Sequence, residues 1–416
     1  MEIKTTKMKT KFFFNYFFWK NNKPKKSLLF YYCLYFVLLL IFLLTKIVDK
    51  YKLHKLPITL GPFIKYVKDC KKLKRYHRRR IKNENPYISV CIPALNMQDY
   101  IERTILTILN QSFQDFEIIV VNDFSNDETE NILKRLKIED DRIRFINHPK
   151  NLGVYAARIE AILMARGKHI ILMDPDDMFM NENLFQELYD YNLRYNLDII
   201  EFEVFQQIEG EPTIFFPDNH LESHYHNFSK IIIHQPELSE ILFYNPGTKE
   251  YNKTICRNIW NKIIRREPLV NLIKYIGYDY YHNYVVITSD DAIMNILTYH
   301  YASNYSNIEL PGYLYNIRKV SMSRGNGGIE LTRIRAINHY LYFTTFYRYI
   351  KEFNKDRNFL FYELRDLQHF MRFIKECEIF DYIPKAIAFF KEILDDNLAS
   401  QEFKDFANEM ILFYHN

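Results

Sequence analysis

Apolar and polar residues fall into a regular alternation of blocks from residue 87 onward. Residues 87–92 (YISVCI) are short, apolar and β-branched, as a buried strand requires, and across 100–110 the apolar positions recur at helical spacing. The pair then repeats. Residues 117–121 (EIIVV) read as a strand and 127–138 as a helix. Residues 142–147 (RIRFIN) read as a strand, 154–165 as a helix and 169–173 (HIILM) as a strand of the buried type. Strands alternating with helices predict a parallel sheet covered on both faces, a Rossmann-like α/β half. Beyond residue 328 the pattern is helical, and stripes such as Leu341, Phe343, Phe346 and Tyr349 read as core.

A sheet of this kind binds ligands outside the carboxyl ends of its strands, so the polar residues that follow strands carry the candidate chemistry. Neither G-x-G-x-x-G nor G-x-x-x-x-G-K-[ST] is present, which removes the usual phosphate cradle of a dinucleotide oxidoreductase and of a P-loop phosphotransferase. After 117–121 comes Asn122-Asp-Phe-Ser-Asn-Asp127, which sets Asp123 at a strand end, where a carboxylate accepts a base or ribose hydrogen bond. Ser125 and Asp127 read as caps of the next helix. After 169–173 comes Asp174-Pro-Asp-Asp177, three carboxylates in four positions. Their mutual repulsion needs a positive partner, and Mg²⁺ or Mn²⁺ is the natural one, since it takes one or two protein carboxylates and completes its shell from diphosphate oxygens and water. Further on, Asp290 and Asp291 open an apolar stretch, where an acid pair serves either as a catalytic base or as a complement to a helix dipole.

From 87 to about 188 the chain resembles the family 2 glycosyltransferases with the type A (GT-A) fold. The resemblance is carried by Pro93-Ala-Leu-Asn96, Ile108-Leu-Asn-Gln-Ser-Phe113, the Asp123 turn, Asn151-Leu-Gly-Val-Tyr-Ala-Ala-Arg158 and Asp174-Pro-Asp-Asp177, in the family's order and spacing. Two positions depart from it: Asn122 stands where the family often has Asp, and Phe124 where it often has Gly. The resemblance implies that Pro93, Asn96 and Asp123 lie at the nucleotide, with Asp123 recognising the base. It sets Asp174 near the ribose, Asp176 on the metal with Asp174 beside it, and Arg158 at the diphosphate. It also implies that Asp291, or failing that Asp290, takes the proton from an acceptor hydroxyl in an inverting transfer from a UDP-sugar, or a GDP- or dTDP-sugar. Trp260-Asn-Lys262 and Leu314-Tyr-Asn-Ile-Arg318-Lys-Val-Ser-Met-Ser323 resemble segments of enzymes that build bacterial-type surface polysaccharides. Lys262 and Arg318 are then candidate diphosphate or acceptor contacts, or else ordinary surface cations.

On this reading residues 1–26 are a basic tail, 27–45 a transmembrane anchor, 46–86 a basic stem and 329–416 a helical C-terminal region. The catalytic domain is 87–328, with a nucleotide-sugar half (87–205) and an acceptor half (206–328). The anchor follows from nineteen residues without a charge, long enough to cross ~30 Å of hydrocarbon, with bulky residues where a cleavage site would need small ones. Lysines before the span outnumber those after it, which favours a single-pass type II arrangement, luminal in the ER or Golgi of a eukaryote. A second basic run across 65–82 leaves a cytoplasmic-facing site open. A formal charge of +5, from 56 Lys and Arg against 51 Asp and Glu, is no nucleic-acid signature, and five scattered cysteines form no zinc spacing. The acceptor is a glycan, a lipid or a protein. The competing expectation is a catalytically silent scaffold that binds a nucleotide-sugar or glycan on the same fold; a nucleotidyl or phosphoryl transferase lacks a Lys-rich phosphate loop.

Overall fold

The computed structural model describes residues 84–211, 214–215, 231–239, 258–277, 286, 290–318, 328–357, 360–361, 364 and 368–415. The expected anchor at 27–45, with the tail and stem around it, lies outside the described residues. Among the described residues no helix is long and apolar enough to cross a membrane.

The first half follows the sequence pattern closely: β1 (Ile88–Ala94), α1 (Ile101–Leu109), β2 (Phe116–Asn122), α2 (Thr129–Glu139), β3 (Ile143–Asn147), α3 (Val154–Met164) and β4 (His169–Leu172). Every residue of β1, β2 and β4 is buried, because helices cover both faces of the sheet and leave no side to solvent. Short β5 (Met178–Phe179), α4 (Leu184–Tyr195) and long β6 (Ile199–Ile208) follow. After β7 (Ile214–Phe215) and β8 (Ile232–His234) come β9 (Lys262–Arg265), α5 (Arg266–Ile276), α6 (Asp290–Tyr301) and β10 (Asn304–Ile317).

The sheet order is β3-β2-β1-β4-β9-β6-β10-β5, with β7 paired to β6 and β8 to β10. Strands β3, β2, β1 and β4 are parallel, as the alternation predicts. The rest of the sheet, beyond the half that the alternation covers, is mixed. Strand β9 runs antiparallel to both β4 and β6, and β5 antiparallel to β10, while β6 and β10 are parallel. The physical reason is connectivity. The chain reaches β6 through α4 and leaves a gap beside β4, and β9 fills it from a distant segment that is free of the crossover geometry of a βαβ unit. From β1 the chain steps outward to β2 and β3, then returns through α3 to β4 on the other side of β1. That reversal opens a crevice at the carboxyl ends of β1 and β4.

Helices α7 (Gly328–Glu352), α8 (Gln368–Glu376), α9 (Ile383–Asp395) and α10 (Gln401–His415) complete the described chain. Leu341, Phe343, Phe346 and Tyr349 are buried, as their stripe predicts. Three of them, Phe343, Phe346 and Tyr349, join residues of α3, α5 and α6 in a single apolar core. The C-terminal helices thereby buttress α6, the helix that begins with the acid pair.

Candidate active site

The acid turn after β4 is held from two sides. Thr104 of α1 donates its hydroxyl to the carbonyls of Pro175 and Asp177, both at 2.8 Å. Asp177 points inward, where its two carboxylate oxygens accept from the Tyr313 hydroxyl and the Asn316 amide of β10, each at 2.7 Å. Burial, with the charges of Asp176 and Asp174 adding to it, raises the Asp177 carboxyl well above the usual range. With Asp177 spent on the scaffold, Asp174 and Asp176 are the partly exposed members. Burial and the neighbouring Asp174 charge push Asp176 up to about 6, against the Arg318 guanidinium, which lowers it. Arg318 Nε lies 2.5 Å from Asp176 Oδ2, and Arg103 donates to the Asp176 carbonyl at 3.0 Å. Both guanidiniums lie over the Tyr100 ring, at 5.3 and 4.9 Å from its centroid. The Tyr100 hydroxyl donates to Glu209 at 2.6 Å.

Arg158, on the buried side of α3, is the centre of the site. One of its terminal nitrogens donates to Asp174 at 2.7 Å and the other to both Asp290 and Asp291. Burial alone would lower this guanidinium, but Asp291, Asp290 and Asp174 together raise it well above its ordinary value. The acid pair opens α6, where the helix N-terminus also favours negative charge, as the dipole reading of the pair expects. Asp290 is buried and Asp291 a quarter exposed. Burial raises Asp291 to about 8, with Arg158 pulling down and Asp290 and Asp174 pushing up.

The turn after β2 is tied to its neighbours. Asp123 is buried; one oxygen accepts from Leu152 N and pairs with His148 Nδ1, and the other accepts from Gly153 N, at 2.7–2.8 Å. His148 Nε2 meets Glu160 at 2.6 Å. Burial would lower this imidazole, but its hydrogen bonds to Asp123 and Glu160 prevail and raise it. Asp123 thus organises the loop that leads into α3, and only one lone-pair direction remains on the oxygen that meets Gly153. Asp123→Ala is expected to strand these buried donors and lower stability by about 1–3 kcal/mol, read as a urea midpoint shift at unchanged slope. Asn96, in the left-handed region at φ 54°, accepts from Asn126 N through its amide oxygen while its own N–H donates to Ser125 Oγ, both at 2.9 Å. Ser125 therefore fastens two loops instead of capping α2, and Asp127 accepts from Thr129 N in the first helical turn. Asn122, in place of the family's Asp, donates to Asn147 at 2.8 Å.

Pro93 is buried inside β1, in register with Val121. Lys262 is fully buried: its ammonium donates to the Asn258 carbonyl at 2.6 Å and to Asn261 Oδ1 at 3.0 Å, and pairs with Glu201 at 3.5 Å. Glu201 also accepts from the Tyr299 and Tyr305 hydroxyls. Lys262 is thus the counterion of a buried carboxylate, not a surface cation. The structure therefore brings together Arg158, Asp174, Asp176, Asp290, Asp291 and Arg318, and sets Asn96, Asp123 and Lys262 in the walls. Sequence reasoning missed His148, Arg103, Tyr313 and Asn316. Only His148, just after a strand, stood where a site residue is sought.

A hard divalent cation would take the carboxylates of the turn with exposed surface, Asp174 and Asp176, which are paired here with the Arg158 and Arg318 guanidiniums. Among the described residues no group of three or more His, Cys, Asp or Glu converges on one point. Asp174 and Asp176 would thus be its protein ligands, within the one or two carboxylates such an ion takes beside diphosphate. Arg103 Nε, Arg158 Nε and Asn316 Nδ2 are buried donors without a hydrogen-bond partner among the described residues.

Residues 89–273 match the model "Glycosyl transferase family 2", and this part of the chain is a domain of that family. The chain is 28% identical over 243 residues to glycosyltransferase GlyA of Streptococcus pneumoniae, covering 57% of this chain and 31% of that protein. It is 36% identical over 106 residues to TuaG of Bacillus subtilis, named for teichuronic acid biosynthesis, covering 26% and 42%. It is 35% identical over 97 residues to GalNAc(5)-diNAcBac-PP-undecaprenol beta-1,3-glucosyltransferase of Campylobacter jejuni, covering 23% and 31%. The chain spans less than half the length of each of these relatives. Among solved structures, S. aureus TarS 1-349 in complex with UDP-GlcNAc is 18% identical, with a TM-score of 0.43 over 60% of this chain and 66% of that one.

Proposed function

We propose that the protein is an inverting glycosyltransferase that moves a sugar from a nucleotide-sugar, with UDP as the leading nucleotide, to a hydroxyl of a glycan, lipid or protein. The observation that carries this reading is the Arg158 bridge, which holds the acid turn after β4 within one guanidinium of the acid pair on α6. Donor chemistry and proton removal then share one crevice. The donor diphosphate lies against the acid turn, where Arg318 and Arg103 supply positive charge. Mg²⁺ or Mn²⁺ on Asp176 and Asp174 would supply further charge against the diphosphate as it leaves. Asp291 takes the proton from the acceptor hydroxyl while its oxygen bonds to the anomeric carbon, and the bond from that carbon to the diphosphate breaks on the opposite face. Asp290, the more buried acid, keeps Arg158 in place. Residues 27–45 belong to the proposal as an anchor that holds this crevice near a membrane.

The test is titration calorimetry of the full chain with UDP, GDP and dTDP, each with and without Mn²⁺, beside Asp176→Ala. One nucleotide is expected to bind in a metal-dependent way that the variant loses. A folded chain that binds none of the three refutes the proposal.

A further inference from the structure

We propose that Phe124 is the stacking platform for the nucleobase of the donor. The inference rests on the nucleotide-sugar reading above and deepens it by assigning the base a residue of its own. Phe124 sits at φ 67°, a left-handed conformation that a bulky L-residue adopts only against steric resistance. The other non-glycine residues with positive φ among the described residues are Asn96, Asn196, Asn354 and Glu378, all polar, so Phe124 stands alone there as an apolar residue. Packing does not account for the strain. The side chain is 56% exposed, and no ring or cation contact accompanies it among the described residues.

Its position does account for it. Phe124 directly follows Asp123 at the carboxyl end of β2, beside the crevice where the strand order reverses. Asn96, Ser125 and Asn126 hydrogen-bond this turn to the loop after β1, so the ring is presented from a fixed backbone. Strain kept at an exposed position beside a ligand crevice points from the outlier to a function. A phenyl ring more than half exposed among the described residues suits a flat, partly hydrophobic partner, and every nucleobase has a π-face to offer. Asp123 has little capacity left for a base edge, because its carboxylate is engaged by His148, Leu152 and Gly153. Affinity for the base then comes from the ring that follows it.

The backbone conformation and the proposed role act on different readouts, which makes the test selective. Calorimetry with UDP and, separately, with inorganic pyrophosphate, both with Mn²⁺, compares the full wild-type chain with Phe124→Gly, Phe124→Leu and Phe124→Trp. Phe124→Gly and Phe124→Leu are expected to weaken UDP about tenfold and leave pyrophosphate unchanged, while Phe124→Trp keeps UDP within a few-fold of wild type. Phe124→Gly is also expected to melt no lower than wild type, since glycine tolerates the left-handed turn. Undiminished UDP affinity in both ring-free variants overturns the proposal, and so does equal weakening of UDP and pyrophosphate. If wild type binds neither ligand, the nucleotide-sugar reading falls and this inference with it. Wild-type binding of UDP with no effect of Phe124 removes the inference alone.

Discussion

Asp291→Asn is expected to lower sugar transfer by about 10²–10⁴-fold while metal-dependent UDP binding stays within a few-fold of wild type. The amide keeps the volume of the carboxylate and still offers Arg158 an oxygen, so the bridge to Asp174 and Asp290 survives and only the proton acceptor is lost. The pH profile carries the sharper distinction. With Asp291 raised to about 8, its ionised and active form is lost as pH falls through that value, so wild-type turnover rises between about pH 6 and 9. The residual activity of the variant lacks this limb. Asp290→Asn is expected to cost less, since that acid is nearly covered and addresses Arg158. Nucleoside diphosphate release measured across the pH range checks both variants. A full rate in Asp291→Asn, or a greater loss in Asp290→Asn, would exchange the two roles.

Much of this site was legible because its signals are local. Strands β1, β2 and β4 are buried on both faces, so each is a continuous apolar run that ends where its polar loop begins, and Asp123 and Asp174 could be placed at strand ends from the sequence alone. What escaped depends on pairing between distant residues. Arg158 meets the acid pair across more than 130 residues, and nothing in the neighbourhood of either discloses the other. Lys262 reads as a free cation in Trp260-Asn-Lys262, because its counterion Glu201 arrives from β6 only once β9 has slotted in beside that strand. Asp177 looks equivalent to Asp174 and Asp176 along the chain, yet Tyr313 and the Asn316 amide draw it inward and leave the other two partly exposed. The mixed half of the sheet escaped for the same reason, since the alternation of elements does not say which gap a late strand fills.

Arg158→Met is expected to destabilise the fold by about 3–5 kcal/mol near neutral pH, because it leaves Asp174, Asp290 and Asp291 gathered without a counterion. The direction of the pH dependence separates this from an ordinary packing defect. Asp291 is raised in the folded state from an ordinary value of 3.8 to about 8, so between those values the folded chain holds a proton that the unfolded chain has released. Asp291 therefore favours the folded state at low pH, and that contribution is lost as pH rises toward 8. Arg158 is the strongest influence holding Asp291 down, so removing it carries the titration further upward and widens the interval over which stability falls. The deficit of Arg158→Met against wild type should accordingly stay level between pH 5 and 7, where Asp291 keeps its proton in both folded chains, and be larger at pH 9 than at pH 7, because at pH 9 wild type has released that proton and the variant still holds it. Urea denaturation at pH 7 and pH 9 measures it, and an equal deficit at both would mean that the methionine disturbs packing rather than charge. Arg158→Lys, which keeps the charge but not the fork, should fall between, since a point charge cannot serve three carboxylates placed for two guanidinium nitrogens. Arg158 ties the strand that ends in the acid turn to the helix that begins with the acid pair, so charge balance in this crevice and alignment of the two halves of the site are one requirement, met by one side chain.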